Sequence, residues 1–372
     1  MSERLKNLED ALVRLQEKKH KVVFLVPETN GIARASIAVA YRHAMALHKQ
    51  GVEVVMLHDK KDYMGVGAWL GEEYDTLTHS SIESNQLEVS ASDFLVIPEL
   101  YGNVVEKVEH LPCQKIVFVQ SLEYMTDTYA PGKTWLDYGV LETMTTSKEA
   151  KEYIEDLMYV TNVKVVPIGV SESFKPFKKL KKPVIAIHCK DTRKTAKLLK
   201  MFYIKYPYLR WLTFRDMHGM TENDFARNLS ECILAVWSDQ TSTFPLFLVE
   251  ALKCNVPVIA QMPQLLFDWT TDDIATWAMT DAQIIELIAR FVKTWLEDNV
   301  PEEFEILDQL VDGKFTMTEM DEAVTKVYGE YLEERIDVLS KVVTKAQEYE
   351  AAKEAEYNTN NTETPQTDEE KS

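Results

Sequence analysis

At 372 residues, 45% of them apolar, the chain is too long for one ordinary core and is expected to divide into roughly two domains of about 150 residues each. Its 60 acidic and 41 basic side chains leave a net charge of −19, which argues against a protein that coats nucleic acid. No stretch of about 18 uncharged apolar residues occurs, and the N-terminus "MSERLKNLEDALVRLQEKKHK" is charged throughout. Neither a membrane-spanning helix nor a signal peptide is therefore expected, and the expected location is the cytoplasm.

Residues 3–18 place Leu5, Leu8, Leu12 and Leu15 on one face at three- and four-residue spacing, which predicts an amphipathic helix. Short apolar runs follow at 21–27, 52–58, 93–99, 115–121 and 163–169. Helix-like segments separate several of them, such as "ARASIAVAYRHAMALHKQG", which closes on Gly51 as helices often do. Strands alternating with helices predict a parallel sheet covered on both faces. The pattern restarts after an exposed Pro- and Lys-rich connector at 174–183, with strands at 183–189, 209–214, 232–238 and 256–261. From Asp281 the chain turns helical, and from Gln347 it is acidic, polar and expected to be disordered. Cys113, Cys189, Cys232 and Cys254 fit neither a zinc site nor a disulfide framework and read as reduced core thiols.

Two α/β halves in succession predict Rossmann-like domains facing each other across a cleft. The expected division is 1–172, 173–320, a helix over 321–346 that packs back on the first domain, and a tail over 347–372. Between residues 174 and 200 the chain is strongly basic, with Asp191 its only acid, which points to an anionic ligand nearby.

The stretch "SDQTSTFPLFLVEALKCNVPVIA" (238–260) reads as a strand end, a turn and a helix. A helix N-terminus at the carboxyl end of a parallel strand presents unpaired N–H groups and the positive end of a dipole, as a diphosphate requires. Ser242 and Thr243 are suited to cap that helix, and Pro245 fits its first turn, where no N–H is needed. Glu250, about 1.5 turns further on, is placed to accept hydrogen bonds from vicinal hydroxyls such as those of a ribose. The same residues also fit a plain cap and a solvated edge.

This stretch resembles the donor-binding motif of the retaining glycosyltransferases of family 4, which have the GT-B fold. The match runs nearly position by position through Thr243, Phe244, Pro245 and Leu246 to Glu250, the ribose-binding acid of that pattern. It departs at Ser242, where the family commonly carries a first acid against the transferred sugar, and at Thr243 and Pro245, which replace glycines. "VKVVPIGVSESFKPF" (163–177) and "TTSKEAKEYI" (145–154) resemble the family's inter-domain strand and the element before it. "IHCKDTRKTAKLLKMFYIKYP" (187–207) is similar to the element whose basic pair clamps the donor diphosphate. On that likeness Arg193 and Lys194 are the clamp, with Lys190 a helper, though a solvated basic helix face fits them too.

Gly31 and Arg34 stand where the family has its glycine loop, a position that an ordinary turn glycine fits equally. Arg215 and His218 stand where the nucleobase is held, or are ordinary loop residues. Gln120, with Ser121 and Glu123 beside it, replaces a His that contacts the sugar or acceptor, so no proton shuttle is available there. "KFTMTEMDEAVTKVYGEYL" (314–332) looks like the helix that crosses back between domains, and the likeness covers roughly residues 20–335.

The resemblance implies a nucleotide-diphosphate sugar donor, transfer with retained configuration, and no metal or other cofactor. Asp272 and Asp273 read as a helix start rather than as metal ligands. The acceptor it implies is a hydroxyl of a glycan, a lipid-linked sugar or a small molecule. A hydroxymethylated DNA base is an alternative acceptor, favoured by the basic segment and opposed by the net charge. A GT-B binding or scaffold protein without catalysis is a second alternative, motivated by Ser242 and Gln120.

Overall fold

In a computed structural model the chain is described over residues 3–84, 86–176, 181–268, 274–297 and 307–362, with side chains described as far as 355. The apolar runs form two all-parallel sheets. The first is seven-stranded, in the order β3-β2-β1-β4-β5-β6-β7. Its strands are β1 (Lys21–Val26), β2 (Glu53–His58), β3 (Thr78–Ser81), β4 (Phe94–Pro98), β5 (Gln114–Val119), β6 (Glu142–Thr145) and β7 (Val163–Val165). The second is five-stranded, in the order β12-β11-β10-β8-β9. It contains β8 (Lys182–Cys189), β9 (Thr213–Asp216), β10 (Cys232–Ser238), β11 (Val258–Gln261) and β12 (Thr276–Ala278).

These strands are continuous apolar runs because both of their faces are covered. Val22, Phe24 and Val26 of β1 enter one core, while Val23 and Leu25 enter another on the opposite face. The helices in chain order are α1 (Glu3–Gln16), α2 (Ala35–Lys49), α3 (Gly102–Lys107), α4 (Tyr124–Asp127) and α5 (Lys148–Met158). They continue with α6 (Thr192–Lys205), α7 (Glu222–Ser230), α8 (Leu246–Lys253), α9 (Asp281–Leu296) and α10 (Met317–Thr362). One apolar cluster is continuous from α2 and α10 through to α8, so the two sheets share a core on that side. All four cysteines are buried and free.

Each sheet has a point where strand order reverses. In the first it lies between β1 and β4, in the second between β8 and β10. Loops leaving the carboxyl ends of strands on either side of such a point diverge and leave a crevice, where ligands of open α/β sheets bind. The residues that matter below leave β1, β4, β5, β8 and β10 at those ends.

Helix α10 returns to the first sheet. The Tyr331 hydroxyl donates to the Thr143 carbonyl at 2.9 Å, and Lys164 pairs with Glu330 at 3.1 Å and Glu334 at 2.6 Å. The Arg335 guanidinium donates to the carbonyls of Ala91 and Pro112 and to Gln114 Oε1. The sequence expectation of disorder from Gln347 differs from the structure over 347–362, where the helix runs on to Thr362; residues 363–372 lie outside the described residues. The segment "EYEAAKEAEY" is made of strong helix formers and extends an already nucleated helix, which costs little. β9 begins at Thr213 rather than near Leu209, because Leu209 and Leu212 are buried from a tight turn ahead of the strand. The Asp272–Asp273 pair lies outside the described residues. Among the described residues no helix is long and apolar enough to cross a membrane.

Candidate functional site

At the two switch points the loops of one sheet touch those of the other. The loop after β5 and the loop after β10 run antiparallel for one step, with Ser121 opposite Ser242. The Leu122 amide donates to the Thr241 carbonyl at 2.8 Å, and the Thr243 amide and hydroxyl both donate to the Gln120 carbonyl, at 3.2 and 3.0 Å. The Thr243 and Thr146 hydroxyls share a hydrogen bond of 2.6 Å. Thr243 is 1% exposed, so its polar groups sit where an unmade bond is costly.

Lys190, at the end of β8, joins this contact. Its ammonium donates to Ser121 Oγ at 2.7 Å, Glu123 Oε2 at 2.8 Å and Thr241 Oγ1 at 3.2 Å, and lies 4.3 Å from the centre of the Tyr124 ring. Gln120 donates from Nε2 to the Ser36 carbonyl at 3.1 Å, which turns it toward the first turn of α2. Gln120, Lys190, Ser242 and Thr243 are thus brought together.

The expected capping of α8 is not what the structure shows. Pro245 is the residue ahead of the helix and no side chain caps it. Ser242 instead donates to Asp239 Oδ2, and Thr243 is engaged across the cleft. Phe244 is buried against Phe315, Pro245 is buried, and Leu246 is half-buried against the shared core. Glu250 is partly buried on α8. Burial pushes its carboxyl up to about 8, with Arg42 pulling it down and Glu222 raising it. Arg42 is itself paired with Glu222, so this acid lies beside a bridge between α2 and α7.

The three basic residues behave differently. Arg193 is exposed at the start of α6, which Asp191 caps by accepting the Arg193 amide at 2.8 Å. Its guanidinium makes no hydrogen bond or ion pair among the described residues. Lys194 donates to Gln261 and lies 3.9 Å from Asp281. Lys190 is engaged as above.

Arg215 turns away from the cleft. It donates to the Asn228 carbonyl at 3.3 Å and lies 3.9 Å from Glu231, next to the amino end of β10. His218 bonds Asp216 and stacks on His188 at 4.7 Å, and His188 stacks in turn on Phe247 at 5.1 Å. Burial and the neighbouring His218 hold His188 down at about 4, so it is neutral near pH 7. Gly31 has φ +72°, and a Cβ there would meet Met64 Cε at 3.2 Å. Its neighbour Ile32 reaches across to Gly219 of the second half.

Sequence reasoning missed Asp239 and Glu99. Asp239 directly follows β10, accepts from Ser242 Oγ, and accepts the Thr241 amide at 3.0 Å. It places an acid directly beside Ser242. A carboxylate directly after a strand at a switch point was the available signal. Glu99 follows β4 and is 3% exposed, and burial pushes its carboxyl up to about 7.

No protein-family model matches the chain, and no curated protein sequence matches it. Solved structures do. Sucrose-phosphate synthase from Thermosynechococcus elongatus superposes with a TM-score of 0.62 at 14% identity, covering 84% of this chain and 99% of that one. A glycosyltransferase from Rickettsia africae gives 0.57 at 12% identity, over 84% and 98%. WaaG, a glycosyltransferase involved in lipopolysaccharide biosynthesis, gives 0.54 at 9% identity, over 82% and 98%. At these identities the likeness is one of fold. The chain has the GT-B architecture of two Rossmann-like halves.

Proposed function

We propose that the chain is a glycosyltransferase that moves a sugar from a nucleotide-diphosphate sugar to a hydroxyl acceptor with retained anomeric configuration. The observation that carries this reading is the meeting, at two facing switch points, of polar groups of a kind that suits a sugar with a cation of a kind that suits a diphosphate. Gln120 and Ser242, with the Asp239 carboxylate bonded to Ser242, are the first; Lys190 is the second, with Arg193 three residues on in the first turn of α6. Arg193, exposed and with no side-chain bond among the described residues, is the cation suited to take the diphosphate, and charge-assisted hydrogen bonds are the strong ones.

In this reading the bond from the anomeric carbon to the diphosphate oxygen breaks as the bond to the acceptor oxygen forms on the same face. The departing diphosphate oxygen takes the acceptor proton, so no side-chain base is needed. Arg193 and Lys190 hold the negative charge that grows on the leaving group. Glu250 accepts from the nucleoside hydroxyls.

The test is incubation with UDP-, GDP- and ADP-sugars, reading nucleoside diphosphate release and, by NMR, the anomer of the product. Release with the donor's own configuration kept is expected. Inverted product overturns retention, and neither release nor any thermal shift across the panel overturns the reading itself.

A further inference from the structure

We propose that a groove between α1, α10 and the loops ahead of β4 and β5 binds a phosphate monoester. The groove lies at the amino ends of the first sheet, away from the cleft, and does not depend on the glycosyl-transfer reading.

Helix α1 carries a second stripe beside its leucine face. Arg4, Asn7, Ala11 and Arg14 recur at three- and four-residue spacing, so they share one side of the helix. That side lines a groove of about 620 Å³, a size usual for small-ligand sites. The rest of the lining comes from Val89 to Ala91 ahead of β4, Pro112 ahead of β5, and Arg335 of α10. Three guanidiniums therefore border one groove in a chain whose net charge is −19.

None of the three forms an ion pair among the described residues. Arg335 directs its donors at neutral acceptors, the carbonyls of Ala91 and Pro112 at 2.9 and 3.0 Å and Gln114 Oε1 at 3.2 Å. Arg14 donates from Nε to the Lys19 carbonyl at 3.2 Å, and its two Nη groups make no hydrogen bond among the described residues. A half-buried cation that no carboxylate balances is costly, and an anion beside it lowers that cost.

The charges around the groove set the class of anion. Asp10 is the acid in its lining. Behind the lining, the buried Asp93 accepts from the amides of Lys21 and Ser90, and the buried Lys115 donates to the carbonyls of Glu109 and Leu111, so these two opposite charges offset one another. Three guanidiniums against the Asp10 carboxylate leave two positive charges in surplus. A phosphate monoester carries about two negative charges near pH 7 and presents three oxygens to the planar forks of arginine. Leu8, Val89 and Pro112 offer an apolar wall to its organic part.

The experiment titrates phenyl phosphate, and separately inorganic phosphate, into the full chain by calorimetry. The wild type is expected to bind phenyl phosphate, and inorganic phosphate more weakly because it lacks the part that lies on the apolar wall. Arg4→Ala combined with Arg14→Ala is expected to weaken phenyl phosphate binding by about 10- to 100-fold, the factor for lost charged hydrogen bonds. Arg193→Ala, which alters the distant cleft, is expected to leave it within about twofold. No binding by the wild type at millimolar ligand, or equal affinity in the double variant, overturns the proposal. Binding lost in Arg193→Ala and kept in the double variant also overturns it, by assigning the phosphate to the cleft. Tighter binding of inorganic phosphate overturns the choice of an ester.

Should the double variant not fold, amide hydrogen exchange on the wild type decides. Phenyl phosphate is expected to slow exchange in peptides covering 3–16 and 86–93 and to leave 114–125 and 238–246 unchanged. Slowing confined to the second pair, or none in any of the four, overturns the site.

Discussion

Arg193 and Lys194 are neighbours in sequence and do different work. Arg193 is exposed and its guanidinium makes no bond among the described residues, whereas Lys194 is bonded to Gln261 and lies near Asp281. Arg193→Ala is expected to weaken nucleoside diphosphate binding by roughly 10- to 100-fold, the range for a charged hydrogen bond. Its melting temperature is expected to stay at that of the wild type, as for surface changes generally. Titration calorimetry beside a thermal melt checks both. Glu250 makes a pH prediction. Its folded-state carboxyl sits near 8, above its ordinary value of 4.5. Between those values the fold keeps a proton that the unfolded chain has released, so stability falls as pH rises through that window. Glu250→Gln removes this contribution, and urea unfolding at pH 5.5 and 8.5 is expected to show a smaller drop than in the wild type. An identical drop assigns the titration to other groups.

At the scale of elements, the contact between the loops after β5 and β10 sets what the site can do. Lys190, read from sequence as a diphosphate helper, already has a carboxylate partner in Glu123. A donor must compete with that carboxylate. Both side chains are part-exposed, so Glu123→Gln is expected to change stability by less than about 1 kcal/mol. Donor affinity is expected to rise a few-fold because the ammonium is released, and a titration showing weaker binding counts against Lys190 as a phosphate ligand. Gly31 is a left-handed position, and Gly31→Ala is expected to cost about 1 kcal/mol in urea unfolding. The nearby Met64 thioether end can yield, so strain rather than overlap sets that cost. Helix α8 was legible because its apolar spacing is local. The partners of Ser242 and Thr243 were not, since Gln120 and Thr146 lie about a hundred residues away in sequence.

At the scale of the molecule, α10 ties the chain end to the first sheet through Tyr331 and Arg335. Arg335 satisfies two backbone carbonyls and a side chain at once. Arg335→Ala is expected to lower unfolding free energy on the order of 1.5–3 kcal/mol, the range for charged hydrogen bonds, here made by a half-buried guanidinium. Urea denaturation measures it, and a change under 0.5 kcal/mol, the scale of ordinary surface substitutions, would mean that α10 is not held there. Arg42 performs a comparable service between the halves, bonding Glu222 and donating to the Gly169 carbonyl at 3.4 Å. The helix beyond Gln347 was unread because composition alone does not distinguish an acidic disordered tail from an acidic helix seeded by a packed one.

Much of the architecture follows from sequence alone. Apolar runs buried on both faces and the helices between them dictate parallel sheets, and the restart after the basic connector dictates two of them. These are properties of short windows, where side-chain period and backbone geometry agree. The likeness of 238–260 to a donor motif also needs only one window. Tertiary structure alone decided which groups are free and which are held. It paired Lys190 with Glu123, turned Arg215 toward Glu231, and put Asp239 behind Ser242. Each of these joins residues from separate crossovers, and no local pattern encodes how two switch points meet. Hydrogen bonding and burial act on distance in space, so the state of the site became visible only once both sheets were placed.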